Sequence, residues 1–149
     1  LKVQLTLGTE LNHDGVPENN PISELKINGF KPTAKVGYGS LDISGSASEI
    51  QAYQSGWKKA EDKNHNCVAT FECIVIPQEM DKFTVNFVCG GKPYTYTATL
   101  TENGSSFFFM GGQAYTLPLT VGKDEVIMSK DGITASPWVD GGSKDIETD

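Results

Sequence analysis

The chain has 149 residues, with 19 acidic against 12 basic side chains and a net charge of −7. That length predicts one domain, and the acidity excludes nucleic acid as a partner, since phosphate contacts need concentrated positive charge. All 12 basic residues are lysine, so the two-pronged arginine clamp for phosphate or carboxylate is absent as well.

Leu1 to Leu7 alternates apolar and polar with period two, which predicts a half-buried strand. Asn12 to Pro21 reads as a polar loop and Leu25 to Phe30 as a short strand. Gly37 to Ser46 carries another strand, with Leu41 and Ile43 expected to face inward. Ser46 to Glu61 reads two ways. Ile50, Tyr53 and Trp57 recur at i, i+3 and i+7, as on one helical face, while Gly56 weighs against a helix. A polar loop from Glu61 to Asn66 leads into Val68 to Ile76, a strand closed by Pro77.

The clearest signal follows. Phe83 to Cys89 and Lys92 to Leu100 are rich in β-branched and aromatic residues and are separated by Gly90-Gly91. Two glycines suit the positive φ of a primed hairpin turn, which sets Phe87 opposite Tyr94 and Val85 opposite Tyr96. Gln113 to Val121 and Glu125 to Ser129 are two more strands, turned at Gly122 to Asp124. The expected core is Phe71, Ile74, Ile76, Val85, Phe87, Tyr94, Tyr96, Tyr115, Leu117, Val126 and Trp138. Residues 1–139 are expected to form a single β-sandwich domain. Residues 140–149 are Gly-rich and acidic and are expected to be a flexible tail. No apolar run approaches the ~18 residues of a membrane-spanning helix. The chain opens on a strand without an initiator Met or a signal-like start, which suggests a mature fragment or a chain given without its targeting segment.

Chemistry is sparse. His13 and His65 both lie in polar loops, and His65 stands two residues from Cys67, where neighbouring positions diverge rather than converge as a nucleophile and its base must. Asp62, Asn64 and Asn66 imitate the start of a Ca²⁺ loop, but Cys67 takes the place of the required Gly and Cys73 that of the bidentate acid. The acids Asp140, Asp145, Glu147 and Asp149 form a solvated charge run. No glycine pair runs from a strand into a helix to cradle phosphate. The expectation is therefore no catalytic, metal or cofactor-binding residue, and no enzyme. Cys67 and Cys73 lie ~20 Å apart along one extended segment, and Cys89 could bridge to one of them only from a neighbouring strand, so the favoured reading is three free, buried and inert thiols. Phe107-Phe108-Phe109 puts adjacent aromatics on opposite faces of a strand. Tyr53, Trp57 and Phe108 remain as candidate binding residues, Tyr53 and Trp57 for stacking on sugar rings.

Several segments together resemble the fimbrillin-like proteins, the subunits of type V pili of Bacteroidetes. Ala69 to Gln78, ending "IPQ", is similar to a strand of that family, and "GGKPYTYTATL" to its Gly-turn-Tyr-x-Tyr strand. Gly112, Tyr115, Leu119 and Val121 in "MGGQAYTLPLTV", then Ile133, Trp138 and Gly141 in "ITASPWVDGG", resemble its later strands, although the step from Ile133 to Trp138 is longer than in the family form. The likeness is good over residues 68–141, loose over 1–45 and absent over 46–66. It implies an all-β, transthyretin-like or Greek-key antiparallel sandwich of about seven strands, as in the family's C-terminal domain. It further implies a non-enzymatic cell-surface or outer-membrane fimbrial subunit of lipoprotein origin, acting in pilus assembly or adhesion. The implied partners are other pilus subunits, joined by strand addition, or host or bacterial surface ligands. Residues 140–149 offer Ile146 as their single large apolar side chain, which points to an accessory or tip subunit rather than a stalk subunit. The alternative is a secreted Ig-like carbohydrate-binding sandwich.

Overall fold

Alternation of apolar and polar residues carries the fold, because a strand so patterned buries one face and wets the other. The computed structural model describes residues 1–11, 20–61, 65–101, 104–130 and 132–137. Its elements in chain order begin with β1 (Lys2–Gly8), a 3-10 turn (Thr9–Leu11), β2 (Ile22–Asn28), β3 (Thr33–Gly37) and β4 (Ser40–Ser44). Then come β5 (Glu49–Gln51), β6 (Tyr53–Lys59), β7 (His65–Glu72), β8 (Gln78–Met80), β9 (Lys82–Cys89) and β10 (Lys92–Thr99). The remainder are β11 (Phe107–Phe109), β12 (Gln113–Val121), β13 (Val126–Met128) and β14 (Thr134–Pro137).

Two sheets make the body of the molecule. One runs β13-β12-β1-β7-β6, with β14 also paired to β12, and the other runs β10-β9-β2-β5. Between them Val3, Leu5 and Leu7 of β1 and Leu117, Leu119 and Val121 of β12 are buried, as are Leu25 and Ile27 of β2 and Phe83, Val85 and Phe87 of β9. The fold is the expected all-β one, with antiparallel pairing throughout except that β1 lies parallel to β12. Fourteen short strands replace the expected seven or so among the described residues.

The hairpin forms as its sequence demands. Phe87 pairs with Tyr94 and Val85 with Tyr96, and the Phe87 and Tyr94 rings stack at 5.2 Å. Gly90 and Gly91 have φ of 60° and 79°, where a residue with a Cβ is strained. The near end of this hairpin is tied to the other sheet. Lys92 Nζ donates to Asp124 Oδ1 at 3.0 Å and to the Lys123 carbonyl at 2.6 Å, and the Tyr94 hydroxyl donates to the same carbonyl at 2.9 Å. The hydrogen bond from Lys92, reinforced by its charge, holds the Asp124 carboxyl below its ordinary value, and the same bond raises Lys92. A depressed acid contributes above its unfolded pKa and loses that contribution as pH falls through the folded one; the raised lysine fails only on the alkaline side. An NMR titration should therefore find Asp124 more acidic than a free aspartate, and Lys92→Met should return it to the free value.

One open reading is resolved and three expectations are corrected. Ser46 to Glu61 is not helical: β5 belongs to the second sheet and β6 to the first, and the chain crosses between them at Ala52, whose N–H is held by the Leu25 carbonyl at 3.0 Å. The spacing of Ile50, Tyr53 and Trp57 thus comes from two strands and a register shift between Gln54 and Gly56. The strand expected to reach Ile76 ends at Glu72, and Ile74 is 91% exposed rather than core. Ile76, Tyr96 and Val126 are half-buried, while Phe71, Val85, Phe87, Tyr94, Tyr115 and Leu117 are in the core. Leu41 faces solvent and Ile43 is half-buried, because β3 and β4 form a two-stranded hairpin of their own outside both sheets. Finally, Cys73 follows the end of β7 instead of sitting inside a buried strand, and is only partly buried. Trp138, residues 140–149, His13, Asp62 and Asn64 lie outside the described residues.

Candidate functional site

The residues of interest gather where β1 begins. Lys2 pairs with Glu72 of β7 on one side and with Thr116 of β12 on the other. One further rung forms beyond it: the Leu1 amine donates to the Cys73 carbonyl at 2.7 Å and the Cys73 N–H to the Leu1 carbonyl at 2.9 Å. Past Leu1 the two flanking segments run on, 73–77 on one side and 111–115 on the other, with a groove of about 800 Å³ between them. Leu1, Ile74, Val75, Phe109, Met110 and Tyr115 are among the side chains that line it.

Its inner wall is aromatic and rigid. Alternation along β11 turns Phe107 and Phe109 inward and leaves Phe108 56% exposed. Phe109 meets Tyr115 edge-on at 4.8 Å, Phe107 at 4.9 Å and Phe30 at 5.2 Å, a geometry favoured by the ring quadrupoles. The Tyr115 hydroxyl accepts the Met110 N–H at 2.8 Å and so fixes the loop at the groove's mouth. The outer rim carries the Lys2–Glu72 ion pair at 3.7 Å and Tyr53. Ile74, Met110 and Tyr53 are 91%, 59% and 67% exposed, an apolar grouping of the kind that marks an interaction surface.

Of the three candidate binding residues, Tyr53 alone borders this groove. Tyr53 pairs with Glu72 on the outward face, whereas Trp57 pairs with buried Ala69 and packs on the core. The two aromatics therefore lie on opposite faces of the sheet and make no joint stacking platform. Phe108 projects from β11 away from the groove lining.

Reactive chemistry has little to work with. Among the described residues no group of three His, Cys, Asp or Glu side chains is placed to hold a metal ion. All three cysteines are free thiols, and Cys89 lies in the other sheet from Cys67. Burial pushes the Cys73 thiol up, with the nearby Leu1 ammonium pulling weakly the other way. A thiol so raised is a poor nucleophile at neutral pH. Native protein treated with a thiol reagent near pH 7.5 should label slowly at Cys73 and at fully buried Cys67 only on unfolding; a rapid burst at either position would contradict the packing.

Sequence reasoning missed the groove. Val75 and Met110 were unremarkable in the chain, Phe109 stood out only as part of the aromatic triplet, and Ile74 read as core. The one signal present was the unbroken apolar run Ile74-Val75-Ile76 before Pro77, too long for a strand with one wet face.

Comparison with known proteins places these features in a family. A model described as fimbrillin-like matches residues 1–138. No curated protein matches the chain. A crystal structure of a candidate cell adhesion protein from Bacteroides uniformis ATCC 8492 superposes with a TM-score of 0.55 at 15% identity, over 93% of this chain and 50% of the other. A second, from Bacteroides fragilis NCTC 9343, gives a TM-score of 0.37 at 14% identity, over 93% of this chain and 46% of that one. The chain thus spans about half the length of these solved relatives. Among the described residues no helix is long and apolar enough to cross a membrane.

Proposed function

The chain belongs to the fimbrillin-like family, and from that premise we propose that it is a non-enzymatic domain of a cell-surface pilus subunit. It acts in filament assembly or adhesion, as an accessory or tip component, at the outer membrane of the cell. The family match over residues 1–138 carries this reading. The physical character of the groove supports it, since apolar walls and backbone edges suit binding rather than bond-making. Within residues 140–149 Ile146 is the single large apolar side chain, so that segment is not a donor strand in this reading. A strand that fills successive pockets on a neighbour needs several such anchors. In the same reading residues 1–139 form one sandwich domain, 140–149 are a flexible acidic tail, and the partners are other pilus subunits that join by strand addition.

A carbohydrate-binding role gains nothing from the geometry, because Tyr53 and Trp57 face opposite ways. Immunogold labelling of intact cells tests the proposal. Gold on surface filaments, sparse or confined to their ends, is expected; gold distributed evenly along every filament would overturn the accessory assignment, and its absence from filaments would overturn the reading itself.

A further inference from the structure

We propose that the β3–β4 hairpin is a lipid-contact arm, whose tip rests the protein on the headgroup zone of a zwitterionic bilayer. The hairpin belongs to neither main sheet, and no side chain of residues 33–44 packs on the core. Its base is nevertheless firm. The Gln78 amide holds both backbone groups of Lys31, the Ser48 N–H donates to the Phe30 carbonyl at 3.1 Å, and the Thr33 hydroxyl donates to the Ser44 carbonyl at 2.7 Å. Beyond that base the register sorts the arm into two faces. Ala34 pairs with Ile43 and Val36 with Leu41 on one face, while Thr33 pairs with Ser44 and Lys35 with Asp42 on the other. The apolar face grows barer toward the tip. Ala34 and Ile43 are half-buried, whereas Leu41 is 44%, Val36 84% and Tyr38, in the turn, 111% exposed. A lone two-stranded hairpin with such a face in water is marginal, so whatever covers the tip also steadies the arm.

Area, shape and charge select the occupant. Val36, Tyr38 and Leu41 together offer on the order of a few hundred Å², against ~800 Å² on each side of a stable homodimer. A second copy of the hairpin is therefore too small a partner. A bilayer interface needs no matching pocket, and its grip scales with the apolar area buried in it. The dimensions agree. From the Val36–Leu41 rung to the turn the chain advances two residues, ~7 Å at ~3.3 Å each, within the ~5–10 Å to which interfacial elements sink. Tyr38 then lies at the level between headgroups and acyl chains that tyrosine favours. The outer edges of β3 and β4 pair with no other strand, which confines the arm to the wet headgroup zone, because unpaired backbone is not tolerated deeper. From Lys31 to Ser44 two lysines stand against one aspartate, and Asp42 pairs with Lys35 across the hairpin. That is no polybasic cluster for anionic lipid, and the chain's net charge of −7 opposes an anionic surface. A zwitterionic surface is the one that fits.

Co-sedimentation with sucrose-loaded phosphatidylcholine vesicles tests the arm. The protein is expected to pellet with them, and Val36→Asp combined with Tyr38→Asp to lower the bound fraction about fivefold or more. Tyr38→Trp should keep the binding, and added phosphatidylglycerol should not strengthen it. Ile127→Asp, at a 52% exposed apolar position on β13, should leave it unchanged. Unfolding midpoints should stay at the parent value, since none of these side chains packs on the core; if the double variant unfolds early, Tyr38→Ser alone carries the comparison. Failure to pellet, equal pelleting by the tip variants, or an equal loss with Ile127→Asp would overturn the arm. Pelleting with anionic vesicles alone would overturn the zwitterionic surface. A dimer seen by sedimentation velocity and dissolved by the tip substitutions would make a second copy the occupant. A longer form of the protein that no longer pellets would show the rest of its chain covering the tip, which overturns the lipid contact as well.

Discussion

Phe109→Ala lowers the stability of the protein by about 3–5 kcal/mol, the range for truncating a buried phenylalanine in a core that cannot collapse onto the void. Phe109 is 1% exposed and touches four rings, those of Phe30, Phe83, Phe107 and Tyr115. The removed ring therefore vacates the point where the aromatic cluster joins the groove wall. A domain of this size has only about 5–15 kcal/mol in total, so urea unfolding should show the loss as a large drop in midpoint at unchanged slope. Phe108→Ala, one residue earlier and 56% exposed, should stay within about 0.5 kcal/mol of the parent. Equal losses for the two would mean that the faces of β11 are misassigned.

Gln78→Leu costs about 2–3 kcal/mol, although leucine fills a similar volume, because three partly buried backbone groups lose their partner. Gln78 is 5% exposed. Its Oε1 accepts the Lys31 N–H at 3.0 Å, and its Nε2 donates to the Lys31 and Ile76 carbonyls at 3.1 Å each. In effect the side-chain amide imitates a strand neighbour for Lys31, where the chain leaves β2 for the β3–β4 hairpin. Faster hydrogen exchange at the Lys31 amide should accompany the loss. Gln78→Glu sharpens the test, since a carboxylate cannot donate to the two carbonyls. Its stability should rise as pH falls and the acid protonates, the direction set by a buried acid whose folded pKa is raised. A Gln78→Leu variant as stable as the parent would show that water already satisfies Lys31.

How much of this was legible in the chain depended on how local the determinant is. The β9–β10 hairpin was readable to the residue, because the Gly90-Gly91 turn and the period-two pattern are both contained within 20 residues. The bounds of β12 and the alternation of β1 were readable for the same reason. Their mutual pairing was not: Leu7 and Val121 are joined across almost the whole chain, and nothing in either strand announces a parallel neighbour. The switch of sheets at Ala52 defeated the periodicity argument, since a strand that changes partners midway mixes two alternations and imitates a helical spacing. Ile74 misled for a related reason. Its surroundings are apolar, but the strand that would cover it, β1, pairs no farther than the Leu1–Cys73 rung. The groove lies between segments distant in the chain, and no local pattern announces that they face each other.

The resemblance seen in "IPQ", "GGKPYTYTATL" and the later Tyr-Leu-Val strand did what periodicity could not, and the family match over residues 1–138 bears it out. The candidate residues fared differently. Tyr53 borders the groove, while Trp57 packs inward and Phe108 stands apart. Aromatic identity alone had selected all three, and the face each one takes depends on a register shift within β6 and on the pairing of β11 with β8.

Mass spectrometry of filaments sheared from intact cells that express this protein tests the central claim, that the domain works in surface assembly or adhesion. Enrichment of its peptides in the purified filament fraction, at low copy relative to the main filament protein, is the result expected. Recovery of the protein solely in the soluble interior fraction, with none on the filaments, would contradict it.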